Sequence, residues 1–155
     1  MKEMLPLMAA CLITWSMAFA APSNSPVFQL HLVLDAPSGD SVPMTVVSKE
    51  RKEVMNVEKA VLLDQTALKS AGVRTDESGH PRIEVAFTDQ GRKRFAEITR
   101  EQAGQRLAIV IDGRLYSAPR IRTEIPGGKA EISGSFGKEE ANALSAMIIA
   151  AIKRH

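Results

Sequence analysis

The segment Leu107–Ile111 constrains the fold more than any other part of this 155-residue chain. Its residues, Leu-Ala-Ile-Val-Ile, are apolar on both faces of an extended chain, so a strand built from them must be covered on each side. Asp112-Gly113 follows at once, and glycine readily takes the positive φ that a two-residue type I′ hairpin turn needs. The sequence therefore predicts a central strand, a tight turn, and a return strand over residues 115–118.

Further strands and helices are predicted on either side of this hairpin. Period-two alternation of apolar residues, or short β-prone runs, predict strands over residues 27–34, 44–48, 53–58, 83–87 and 130–133. Helical periodicity predicts a helix from Thr88 or Asp89 to about Ala103, with Phe95 and Ile98 on its core face.

Two more helices complete the predicted architecture. One runs from Lys138 to Lys153, and a short one starts after an N-cap at Asp64 and ends at Gly72. We expect an α+β fold in which one antiparallel sheet carries two or three packed helices.

The N-terminus has the pattern of a cleavable signal peptide over residues 1–20. The run from Met4 to Phe19 is almost wholly apolar, and Ala18-Phe19-Ala20 has the small-x-small form of a cleavage site. An uncleaved membrane anchor and a lipoprotein modified at Cys11 are the alternatives, although a membrane span needs about 20 apolar residues. We therefore expect a periplasmic protein with a linker over residues 21–26 and one domain over residues 27–155.

Composition and spacing argue against catalysis. The formal net charge of +2 is too small to indicate a nucleic-acid partner. The histidines at positions 31, 80 and 155 are scattered, and Cys11 lies inside the predicted signal peptide, so no metal-ligand spacing arises. The segment Ser133–Gly137 lacks the glycine that a nucleophile elbow needs two residues before its serine. We expect no enzyme activity, no cofactor, no metal and no nucleic-acid partner.

Residues 104–119, Gly-Gln-Arg-Leu-Ala-Ile-Val-Ile-Asp-Gly-Arg-Leu-Tyr-Ser-Ala-Pro, resemble the signature of a known family. It is the head subdomain in the first periplasmic region of the SecD and SecDF protein-export membrane proteins. The likeness is good over residues 55–150 and weaker over residues 27–54. The chain departs from the family at Gly137, where a threonine is usual, and at Arg120, where an apolar residue is usual.

We expect a stand-alone exported domain, and the resemblance implies that it binds exported or unfolded polypeptide, or the export machinery. An exposed sheet edge that accepts a peptide strand would supply the binding. Arg114, Tyr116, Arg120 and Arg122 surround the family-like hairpin and are the predicted partner-binding residues. A second interpretation is that the arginines only solvate an edge strand. A repurposed module with a dedicated partner unrelated to secretion is the alternative function.

The predicted signal peptide leads to a defined mature N-terminus. Cleavage after Ala20 gives a protein that begins at Ala21 and lacks both Cys11 and Trp15. Intact-mass measurement and N-terminal sequencing of periplasmic material test this expectation. Retention of residues 1–20, or a lipid adduct on Cys11, would contradict it.

Overall fold

The computed structural model describes residues 26–48 and 52–155. The predicted signal peptide, and all of the predicted linker except Pro26, lie outside the described residues.

Nine strands and two α-helices follow one another along the described residues. In chain order they are β1 Phe28–Leu34, β2 Ser41–Thr45, β3 Val54–Glu58, β4 Leu63–Asp64, β5 Leu68–Thr75, β6 Pro81–Phe87, α1 Asp89–Glu101, β7 Arg106–Ile111, β8 Arg114–Ser117, β9 Lys129–Ile132 and α2 Lys138–Ile152. A 3₁₀ turn at Gln65–Ala67 separates β4 from β5. The α+β prediction is confirmed.

The strands form two antiparallel sheets where the sequence predicted one. The larger, six-stranded sheet has the order β2-β3-β1-β7-β8, with β4 paired to β1. The smaller sheet has the order β5-β6-β9. The inner faces of both sheets and both helices share one hydrophobic core, which includes Phe28, Ile83, Phe95 and Ile148. This arrangement lets each sheet bury one apolar face against the other layers.

Strand β7 is covered on both faces, as predicted. Leu107, Ile109 and Ile111 point into the shared core. Ala108 and Val110 point the other way, into a second cluster formed with the inward side chains of the curled larger sheet. All five side chains are buried, so this strand anchors both clusters.

The larger sheet curls until its two end strands meet. The N–H of Val47, just beyond β2, donates to the carbonyl oxygen of Leu115 in β8 at 2.8 Å, and Val46 forms a parallel bridge with Leu115. The hairpin that precedes β8 has Asp112 at φ 49° and Gly113 at φ 72°, as a type I′ turn requires. The curl encloses the second cluster that β7 needs on its outer face.

The prediction of a short helix after Asp64 is wrong. Asp64 does act as a cap, accepting from the N–H of Thr66 at 2.9 Å, but it caps only the 3₁₀ turn. The chain then becomes strand β5, which pairs with β6 from Leu68 to Thr75. Pairing with β6 satisfies the backbone groups on one side of β5, and α2 packs on the strand.

The start of α1 sits directly on the 3₁₀ turn, and Gly91 makes that approach possible. A Cβ at Gly91 would collide with the carbonyl oxygen of Ala67, which already accepts from the N–H of Thr88 at 2.9 Å. At Gly72, in β5, a Cβ would meet no atom within 4 Å, and the backbone there has no positive φ.

These two glycines form a matched pair for a stability test. We expect Gly91→Ala to lower the free energy of unfolding by about 1–3 kcal/mol, because the added methyl group forces α1 off the turn. Gly72→Ala should leave stability equal or raise it by up to about 1 kcal/mol, because alanine restricts the unfolded chain. Urea titrations of both variants measure the difference, and equal midpoints would contradict the close packing of α1 on the turn.

Candidate functional site

An apolar cleft of about 390 Å³ opens between the two sheets. Its floor comes from the inner faces of both sheets and from α1, through the side chains of Phe28, Leu30, Leu107, Ile109, Val85, Phe87 and Phe95. The ring of Phe87 stacks on that of Phe95 with 4.5 Å between centroids, which fixes the floor at the α1 end. The cleft is suited to apolar side chains rather than to a charged ligand.

One long wall of the cleft is the edge strand β9, and the other is a segment beyond β8 that bridges to β7 at Arg120. Residues 119–123, which continue from β8, line one wall, and all four residues of β9 line the other. Successive side chains of a strand point to opposite faces, so a groove on one face touches only every second residue. A cleft lined by every residue in turn therefore reaches backbone atoms as well as side chains of these two segments. The site therefore offers main-chain groups as well as an apolar floor.

The connection between the two walls is held by α1. The hydroxyl oxygen of Thr99 accepts from the N–H of Ile125 at 2.9 Å and donates to the carbonyl oxygen of Phe95 at 2.9 Å. Thr99 is fully buried, whereas Ile125 is 38% exposed at the mouth of the cleft. One buried hydroxyl thus sets the position of the loop that closes the cleft at this end.

Cationic side chains lie at the mouth of the cleft, and they differ in whether other residues of the fold already bind them. Arg120 donates from Nη1 to the carbonyl oxygen of Gly104 at 2.5 Å, so its guanidinium partly serves the fold. Arg122 is exposed and makes no ion pair or hydrogen bond with any residue in the described part of the chain. Arg122 is therefore the cation that remains available to a bound molecule.

Lys129, at the start of β9, belongs to a charge cluster on the outer face of the smaller sheet. Its ammonium lies 3.2 Å from a carboxylate oxygen of Glu84, and the other oxygen of Glu84 lies 3.0 Å from Nε of Arg74. Hydrogen bonds from Arg74 and then from Lys129 hold the pKa of Glu84 below its usual value. This cluster orders β9 against β6 and leaves the β9 edge unobstructed.

The predicted partner-binding residues fall into two groups. Arg120 and Arg122 lie together at the mouth of the cleft. Tyr116 is only 4% exposed and packs edge-on against Phe136 with 6.3 Å between ring centroids. The guanidinium carbon of Arg114 lies 5.8 Å from the centre of the Tyr116 ring, and burial raises the pKa of Tyr116. Neither Arg114 nor Tyr116 lines the cleft.

Sequence reasoning missed the cleft floor and the role of β9. Phe28 and Phe87 lie in period-two apolar patterns that are typical of core residues. No local sequence signal distinguishes a core position from a position in the floor of a cleft. Strand β9 was predicted as a strand, but its place at the end of a separate sheet depends on long-range pairing. The short length of β9 and the pair Gly127-Gly128 before it were the sequence signals that could have indicated an edge strand.

The structure also bears on metals and membranes. Among residues 26–48 and 52–155, no three His, Cys, Asp or Glu side chains are grouped so that they could hold a metal ion. His31 is buried, and its Nδ1–H donates to the carbonyl oxygens of Glu58 and Ala60 at 2.8 and 3.0 Å. Neither helix in the described part of the chain has the length and apolarity that a membrane span requires.

The chain is similar in sequence to a family of export proteins. The profile of "SecDF, P1 head subdomain" matches residues 42–151. The protein translocase subunit SecD of Sebaldella termitidis is 48% identical over 87 residues, which cover 56% of this chain and 21% of that protein. The protein translocase subunit SecDF of Thermus thermophilus is 44% identical over 87 residues, which cover 56% of this chain and 12% of that protein.

Solved structures agree with the sequence similarity. A crystal structure of SecDF in a super-membrane-facing form superposes with a TM-score of 0.64 at 30% identity, covering 79% of this chain and 18% of that one. A second structure, described as a membrane component SecDF that enhances protein export, superposes with a TM-score of 0.62 at 28% identity, covering 81% of this chain and 62% of that one.

The two sheets and the two helices define an α+β domain of the type found in SecDF proteins. The chain belongs to the SecDF P1 head subdomain family, which confirms the resemblance predicted from residues 104–119. It spans about a fifth or less of the length of the SecD and SecDF proteins from Sebaldella and Thermus.

The Thr99–Ile125 hydrogen bond provides a test of how the cleft is built. We expect Thr99→Val to speed hydrogen exchange at the Ile125 amide roughly 2- to 12-fold, because a hydrogen bond of this kind contributes about 0.5–1.5 kcal/mol. Thr123→Val, at an exposed position in the same loop, is the matched control and should leave that exchange rate unchanged. Equal rates at Ile125 in the two variants, measured by NMR, would show that Thr99 does not hold the loop.

Proposed function

We propose that this domain holds extended apolar segments of exported polypeptides in the cleft, on the periplasmic side of the membrane. The observation that carries the proposal is the combination of an apolar floor with one wall made of the edge strand β9 and the other of the backbone segment 119–123. A folded protein has its apolar side chains buried and its backbone paired, so only an extended chain can use both features.

The expected affinity follows from the size of the cleft. Burial of one Val, Leu, Ile or Phe side chain contributes about 1.5–3 kcal/mol, and ordering each residue of a flexible segment costs about 1–2 kcal/mol. A cleft of about 390 Å³ has room for only a few side chains, so the favourable free energy of binding that remains after the ordering cost is small. Binding in the micromolar range or weaker is the result, which suits a contact that must be released.

The relatives support an export context for this binding. The SecD and SecDF relatives are named as protein translocase subunits, and the second SecDF structure is described as enhancing protein export. We carry that context to this chain as part of the proposal, together with the periplasmic location that the N-terminal sequence predicts. A dedicated partner unrelated to secretion is the competing function, and the response to an unfolded probe separates the two.

Fluorescence anisotropy with a labelled unfolded protein tests the proposal. The probe is reduced, carboxymethylated lactalbumin, which stays unfolded, and the same protein in its native form is the control. We expect micromolar binding of the unfolded form and at least about 10-fold weaker binding of the native form. No preference for the unfolded form would reject the holding function and favour a dedicated partner.

A pair of variants locates the binding. Ala130 lies in β9 and lines the cleft, so Ala130→Phe should fill the cleft and weaken binding of the unfolded probe by about 10-fold. Ala143 is exposed on α2, so Ala143→Phe adds the same ring elsewhere and should leave binding unchanged. Thermal melts of both variants verify that each is folded. Equal affinities for the two would place binding outside the cleft.

A further inference from the structure

We propose that β9 binds the polypeptide segment as an added antiparallel strand, which becomes the fourth strand of the smaller sheet. This inference rests on the proposed function and specifies how the segment is held. The segment would carry apolar side chains at alternate positions, directed into the cleft, and an acidic residue beside Arg122.

The backbone of β9 has the right orientation to accept a strand. The N–H of Phe87 donates to the carbonyl oxygen of Gly128 at 2.9 Å, and the register continues with Val85 opposite Ala130. Hydrogen-bonded pairs alternate along an antiparallel ladder. The N–H and C=O groups of Lys129 and Glu131 therefore point away from β6. Among the described residues no strand lies on that side of β9.

Another edge of the fold is blocked, and the contrast supports β9 as the acceptor. In β2, Met44 lies opposite Met55, and the N–H of Val46 donates to the carbonyl oxygen of Glu53, so Pro43 occupies a position that points away from β3. Proline has no N–H and discourages strand addition at such a position. Strand β9 has no proline among its four residues, and its edge faces an apolar cleft.

The facing wall adds a charge to the site rather than a second ladder. Pro119 accepts from the N–H of Leu107 at 2.9 Å, and the N–H of Ile121 donates to the carbonyl oxygen of Gln105 at 2.8 Å, so these residues face β7. The backbone groups of Arg120 and Arg122 alternate with them and point away from β7. Because Arg122 has no ion-pair partner among the described residues, a carboxylate on the bound segment complements it.

Strand addition makes a prediction about alternate residues of the segment. Residues opposite Ala130 and Ile132 share the inner face of the sheet and point into the cleft. Residues opposite Lys129 and Glu131 point to solvent, but their N–H groups are the ones that bond to β9. Binding should therefore depend on the side chains at one set of alternate positions of the segment and on the backbone N–H groups at the other set.

A labelled peptide of about eight residues tests this pattern. Valine and threonine alternate along it, an aspartate lies at one end, and anisotropy gives the affinity. We expect N-methylation of a central threonine to weaken binding at least about 10-fold and N-methylation of a central valine to change it less than about 3-fold. Replacement by serine should have the reverse pattern, with loss at valine and tolerance at threonine. Tolerance of N-methylation at every position would overturn strand addition.

Two substitutions at one position test the same idea from the side of the protein. Glu131→Pro removes the outward N–H without breaking the ladder with β6, and should weaken peptide binding at least about 10-fold. Glu131→Ala keeps the N–H and should bind nearly as the unsubstituted protein does, with thermal melts confirming that both variants fold. Equal binding by Glu131→Pro would overturn strand addition. If carboxymethylated lactalbumin still bound in that case, the holding function would stand; if it never bound, the holding function itself would fail.

Discussion

The rest of the structure depends on one constraint, which is that β7 must be covered on both faces. Leu107, Ile109 and Ile111 need a core on one side, while Ala108 and Val110 need another on the opposite side. A flat sheet with helices on one face leaves the second group in water, at a cost of about 25 cal/mol for each Å² of exposed apolar surface. The curl that joins Val47 to Leu115 supplies the missing cover, and the smaller sheet with both helices covers the first side.

The cleft follows from that solution. The larger sheet uses its curl to close around the second cluster, so it is not continuous with the smaller sheet. The two sheets share a core but no ladder, and their edges face each other where residues 119–123 pass β9. A loop between two unjoined edges has to be held in place, and the buried hydroxyl of Thr99 does this. The proposed binding site is thus the gap that the packing of two sheets leaves at their edges.

The sequence predicted what is set locally. The apolar run of β7, the turn at Asp112-Gly113 and the two long helices have strong short-range patterns, and the structure has all of them. The sequence predicts a helix at β5 because Asp64 is a good helix cap. In the structure Asp64 caps only the 3₁₀ turn, and the residues that follow pair with β6 instead. Tyr116 was expected at a surface, but the register shift between Ile109 and Val110 makes it the extra residue opposite them, and it is buried. Sheet order and edge exposure arise from long-range pairing, so a local pattern could not show them.

The chemistry of the cleft suits a binder of many sequences. Main-chain N–H and C=O groups are present in every polypeptide. Recognition through a strand edge therefore requires an extended chain but depends little on which side chains it carries. The apolar floor adds a preference for hydrophobic residues without a shaped pocket for any particular one. Folded proteins keep both features hidden, so such a site selects by state of folding. Under the proposed function weak binding is a requirement, because a domain that holds a moving polypeptide has to release each segment before it holds the next.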